Sequence, residues 1–159
     1  MAWLILAVAL VVLLAVWVTW TANRIDRLDA RAAAARSSLD AQLVRRAAGA
    51  RVIAEADAAT LGSDAQRLRR AAQEALTADD AGREAAENDL GRILSQLEVT
   101  DTARLAELRE ASSRVAIARS FYNDAVRDVH GLRGQRLPRL FHLGARRPLP
   151  SFFEIDDRL

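Results

Sequence analysis

Ala2 to Ala22 reads AWLILAVALVVLLAVWVTWTA and carries no charge. A helix of about 20 apolar residues crosses the roughly 30 Å hydrocarbon core of a bilayer. Trp3 stands near one end of the stretch and Trp17 and Trp20 near the other. Indoles settle at the headgroup level, so these three are the expected membrane-interface anchors. A cleaved signal peptide is the competing reading. It would have a basic leading region, a shorter apolar stretch and small residues ahead of the cut. Here only Met1 precedes the span, and Trp20 would be the third residue before a cut after Ala22. An uncleaved transmembrane helix over residues 2–22 is expected.

The residues beyond the span decide the rest of the fold. No proline or glycine lies near Asn23, and Ile25, Leu28, Ala32, Ala35, Leu39 and Leu43 recur at spacings of three and four. That is the period of a helix with one apolar face. It continues through Ala50 and Ile53, so the membrane helix is expected to run on as one rod to about Ala59. Arg24, Arg27, Arg31 and Arg36 lie after the span, and no arginine precedes it. The positive-inside rule counts these residues and largely ignores the neighbouring acids. It predicts the N-terminus outside and the remainder in the cytoplasm.

Gly62-Ser63-Asp64 reads as a stop and restart, with Ser63 or Asp64 as the N-cap of a second helix that carries Leu68, Ala72 and Leu76. A third helix, capped by Asp79 or Asp80, aligns Leu90, Ile93, Leu94 and Leu97. Thr100 or Asp101 caps a fourth, whose stripe is Leu105, Leu108, Ser112, Val115, Ala118, Tyr122, Val126 and Val129, up to Gly131–Gly134. No strand-like alternation occurs. The expected fold class is all-α: an N-terminal transmembrane helix continuing into an antiparallel cytoplasmic bundle of about four helices, residues 23–134, with an irregular tail, residues 135–159. Alanine dominates the apolar positions, which permits close helix approach but buries little area per residue.

Composition removes several chemistries. There is no cysteine, so disulfides, thiolate metal sites and cysteine nucleophiles are excluded. All 23 basic residues are arginine, and the formal net charge is only +2. A carboxylate di-metal bundle would carry Glu-x-x-His pairs, but Arg127 and Arg139 stand three residues before His130 and His142. Glu84, Glu87 and Asp89 are expected to form a solvated helix face. Ser112, Ser113 and Ser120 lie on a plain helix, without the held base that a serine nucleophile needs. A phosphate-binding loop of the Gly-Lys-Ser/Thr type is impossible without lysine. No enzyme, no metal and no cofactor is expected.

The tail concentrates positive charge at Arg133, Arg136, Arg139, Arg146 and Arg147, interleaved with leucine and phenylalanine. Two readings stand. These arginines contact anionic lipid headgroups, at about 1 kcal/mol each near such a surface, or the tail packs its apolar residues back on the bundle. Nucleic acid is not expected, because single-strand binding needs stacking platforms and Phe141, Phe152 and Phe153 supply few.

The stretch ARSFYNDAV places Ala118, Arg119, Tyr122, Asn123 and Val126 in the pattern Ala-Arg-x-x-Tyr-Asn-x-x-Val. LDAQLVRR places Leu39, Asp40, Gln42, Leu43 and Arg46 in the pattern Leu-Asp-x-Gln-Leu-x-x-Arg. With LGRILSQLE and Phe152-Phe153, these segments resemble the LemA family, over most of the chain. The resemblance implies a bacterial inner-membrane protein with one N-terminal membrane helix and a cytoplasmic helical bundle, and it implies no established activity. The chain departs from the family pattern at Val129-His130, where Tyr-Asn repeats, at Ala47–Arg51, which lack a proline, and at Val99-Thr100, which replace Tyr-Pro; it resembles a divergent member. The expected function is a single-pass scaffold or docking protein, with membrane lipids, other proteins or further copies of itself as partners. The alternative is a membrane-remodelling or lipid-sensing protein acting through self-association and the basic tail. Tyr122 and Asn123 are expected to serve the architecture of the bundle ahead of any ligand.

Overall fold

A computed structural model describes residues 1–97, 101–135 and 147–156. The chain is all-α, and among the described residues there is no strand. Its helices are α1 (Ala2–Ala56), α2 (Ala58–Leu61), α3 (Ser63–Thr77), α4 (Arg83–Gln96) and α5 (Thr102–Arg133).

The first helix is one uninterrupted element through the apolar segment and beyond it. Among the described residues it is the one helix long and apolar enough to cross a membrane, and its most apolar window is entirely unburied. The rod stops at Ala56, three residues before the expected end, and Asp57 leads into the single turn of α2. Gly62 then takes φ 55°, a left-handed conformation open to glycine without a Cβ clash. Gly62 itself is therefore the residue ahead of α3, and Ser63 is its first helical residue, without the side-chain cap expected of Ser63 or Asp64. Asp64 instead pairs with Arg67 at 2.9 Å.

Similarly, α4 begins after Gly82 and not after Asp79 or Asp80. Asp79 acts one step earlier, its Oδ1 accepting the Gly82 N–H at 2.8 Å. Asp101 does cap α5: its Oδ1 accepts the N–H groups of Ala103 at 2.9 Å and Arg104 at 3.2 Å. This satisfies donors that the first helical turn leaves without partners. Thr100 lies outside the described residues.

The chain divides into two compact units, one formed by Met1–Ala34 with Asp124–Ser151, the other by Ala35–Asn123 with Phe152–Leu159. The first unit buries Thr21, Ile25 and Ala32 of α1 and Ala125, Val126, Val129 and Leu132 of α5. Arg31 and Asp128 meet at its surface at 3.4 Å.

The second unit holds a core to which α1, α3, α4 and α5 all contribute: Ala47, Ala50, Ile53, Ala54, Leu68, Ala71, Ala72, Ala75, Leu90, Leu94 and Leu108. Six of these eleven are alanine, a side chain that permits close helix approach and buries little area. Its ion pairs reach far along the chain, from Arg36 of α1 to Asp80 at 3.1 Å and from Asp57, ahead of α2, to Arg104. On α5, Leu108, Ser112, Val115, Ala118 and Tyr122 are buried here, the stripe that the helical period predicts.

Candidate functional site

Two opposite charges lie inside the second unit. Arg46 on α1 is 1% exposed and Glu87 on α4 is 0% exposed. Arg46 Nη2 donates to Glu87 Oε2 at 2.7 Å and to the Glu87 main-chain carbonyl at 3.3 Å. Arg46 Nε and Glu87 Oε1 are buried with no hydrogen-bond partner among the described residues. The carboxylate is thus held at one oxygen and bare at the other. Burial pushes the Glu87 carboxyl above its ordinary value, and the hydrogen bond and charge of Arg46, with the charge of Arg83, offset that only in part.

This overturns the expectation that Glu84, Glu87 and Asp89 share a solvated face. Asp89 is exposed and pairs with Arg92 at 2.6 Å, and Glu84 is half-buried, but Glu87 belongs to the interior. The reason is helical phase. Glu87 stands three residues before Leu90 and seven before Leu94, on the apolar stripe of α4. Arg46 stands likewise three after Leu43 and seven after Leu39. A pair of opposite charges, each in line with its helix's leucines, was the signal available in the sequence.

The remaining residues of the Leu39–Arg46 pattern lie on the same helix as Arg46. Leu39 and Leu43 are fully buried. Asp40 is half-buried, with Arg36 Nε 3.4 Å from its carboxylate. Gln42 buries its Oε1 without a hydrogen-bond partner among the described residues. Arg36, which no sequence pattern singles out for this role, lies 5.6 Å from the centroid of Tyr122 and 4.9 Å from that of Phe153. Both distances fall within the range of cation–π attraction.

Tyr122 and Asn123, adjacent in sequence, serve different neighbours. Tyr122 is 5% exposed. Burial pushes its phenol above the ordinary range, against the charge and hydrogen bond of Arg36. Asn123 turns to the C-terminal segment. Its Nδ2 donates to the Phe153 carbonyl at 3.0 Å, and its Oδ1 accepts the Phe153 N–H at 2.9 Å. One amide side chain thus completes both backbone groups of one residue. Ala118 is buried and Arg119 half-buried. Val126, in the first unit, is fully buried.

In the basic tail, Arg133 is engaged within the chain. Its side chain is 9% exposed and 4.0 Å from Asp29. It donates to the main-chain carbonyls of Pro148 at 3.3 Å and Arg147 at 2.5 Å. An arginine so engaged fastens Arg147 and Pro148 within the first unit. Arg147 stays largely exposed, with Asp26 at 3.2 Å and Asp29 at 3.7 Å to balance it. His130 Nε2 donates to the Pro150 carbonyl at 2.8 Å. Arg136, Arg139 and Arg146 lie outside the described residues.

At the other end, Trp3 and Trp20 are exposed, and Trp17 is half-buried. The Arg24 guanidinium stands 5.6 Å from the Trp20 ring centroid, so the indole and the first charge after the apolar segment stack together. Among the described residues no three His, Cys, Asp or Glu side chains converge as metal ligands. The chemistry of the interior is that of a buried ion pair and side-chain-to-backbone clasps, groups that fix positions within the chain. Comparison with protein families, with curated proteins and with solved structures finds no match for this chain.

Proposed function

We propose that the chain is a single-pass membrane protein whose helical domain is a scaffold or docking module. One observation carries the reading. The most apolar window of α1 contains no buried residue, yet the same helix continues without a break to Ala56 and buries a regular stripe from Ile25 to Ala54. A helix with an uncovered apolar end and a packed polar-apolar remainder suits an anchor fused to a domain. The stacked Trp20 and Arg24 suit a membrane–water boundary. We read the helices as an antiparallel bundle, the N-terminus as outside and the domain as cytoplasmic at a bacterial inner membrane, in keeping with the likeness to the LemA family in ARSFYNDAV and LDAQLVRR. The remodelling alternative is weaker, since Arg133 is spent within the chain and Arg147 is balanced by Asp26 and Asp29.

The test is alkaline carbonate extraction of membranes containing the full chain, with N-terminal sequencing of the product. An anchored protein stays in the pellet with Met1 or Ala2 at its start. Release into the wash, or a start beyond Ala22, overturns the anchor. Cross-linking in those membranes then separates the two functions: a scaffold traps other polypeptides, and a remodeller traps mainly itself and deforms liposomes.

A further inference from the structure

The second unit contains a groove that the chain fills with its own residues 153–156. Residues 153–156 lie in it without regular secondary structure. Phe153 is 2% and Ile155 8% exposed, while Phe152, Glu154 and Asp156 face outward, the two-residue alternation of an extended chain. Its backbone is held by side chains. Asn123 takes both groups of Phe153. Glu84 Oε1 accepts the Glu154 N–H at 2.9 Å, and Asn88 Oδ1 accepts the Asp156 N–H at 2.8 Å.

The register has a geometric cause. Glu84 and Asn88 are one helical turn apart on α4, a rise of about 6 Å. The N–H groups of residues two apart in an extended chain are about 6.6 Å apart. A helix face with acceptors at i and i+4 therefore matches one edge of an extended peptide. Gly91 lets the segment come close, since a Cβ there would stand 3.3 Å from the Asp156 carbonyl oxygen. Arg36 supplies a cation over the Phe153 ring. Backbone bonds give affinity, and alternate side-chain seats give selectivity, as in other peptide-recognition surfaces.

We propose that this groove docks the extended Phe-Glu-Ile-Asp segment in trans as well as in cis, and that its partner is a second copy of this chain. A second copy carries the identical segment, so exchange conserves every bond and both anchors, the condition under which domain swapping costs little. The balance between the two forms is then set by local concentration. The groove does not depend on membrane attachment.

The absence of cysteine makes the test direct. Ser95 and Asp156 line the same cavity beside the groove. Two differently tagged full-length chains, one Ser95→Cys and one Asp156→Cys, are mixed in vesicles and in detergent and treated with a short bis-maleimide. The expected product is a covalent heterodimer whose yield rises with protein density. A control pair with Gln66→Cys, on the exposed face of α3, gives none. Asn123→Ala in the Ser95→Cys chain speeds the approach to the final yield and leaves that yield unchanged, because the cis and trans forms of its groove lose the same two hydrogen bonds. No heterodimer above the Gln66 control, with internal closure of a chain bearing both cysteines, overturns exchange and leaves a segment that acts in cis only. Failure of internal closure as well overturns the groove itself.

Discussion

Two polar features within the second unit solve the same problem unequally. The Asn123 amide is neutral, and both its donor and its acceptor meet backbone groups of Phe153 at hydrogen-bond distance. The Arg46–Glu87 pair is charged and more deeply buried, yet each partner keeps one buried atom without a hydrogen bond among the described residues. A satisfied neutral clasp contributes modestly and is lost modestly. A half-satisfied ion pair contributes little net stability while intact and is expensive to break, because the survivor is a buried charge with no counterion.

The largest effect expected comes from that asymmetry. Glu87→Ala or Arg46→Ala should each destabilise by about 3–5 kcal/mol, read as a fall in the denaturation midpoint. Arg46→Met with Glu87→Leu should recover most of the loss. If the double variant is no better than either single one, the pair contributes something beyond charge balance, and the contrast with Asn123 fails. Asn123→Ala should cost less, about 1–3 kcal/mol for two hydrogen bonds, and should raise protease sensitivity around Phe153 before it affects global unfolding. Tyr122→Phe should cost about 1 kcal/mol and leave that local sensitivity unchanged, which separates the tyrosine's role from the asparagine's.

The smallest effect is a dependence on pH. Glu87 holds its proton more strongly folded than unfolded. As pH rises from its ordinary value of 4.5, the unfolded chain ionises first and gains relative stability. The wild-type midpoint should therefore decline relative to Glu87→Gln through that interval and up to the folded value, and be steady below it. A rise over the same range would mean that the paired form of the carboxylate dominates.

Much of the fold was legible because helices declare themselves by period. The α5 stripe from Leu108 to Val129 and the α1 stripe from Ile25 to Ile53 come from spacing alone, and Asp101 caps where a short acid before a helix should. The departures share a different cause. Ser63 lost its cap to Gly62 because a left-handed turn places the glycine, and not the serine, at the helix entrance. Charge alone puts Glu87 on the surface, whereas its phase relative to Leu90 puts it inside. The groove was the least legible. Glu84 and Asn88 look like ordinary surface residues until a segment about 70 positions away supplies two N–H groups, and no local pattern encodes a partner so remote.

Glu154 and Asp156 pair with Glu84 and Asn88 in the same order along both stretches of chain, so the segment runs parallel to α4. Tension along the helix axis stretches both bonds together, whereas a pull away from the helix parts them one at a time. By this geometry the attachment resists shear better than peeling, so the direction of a load bears on when the segment leaves its groove.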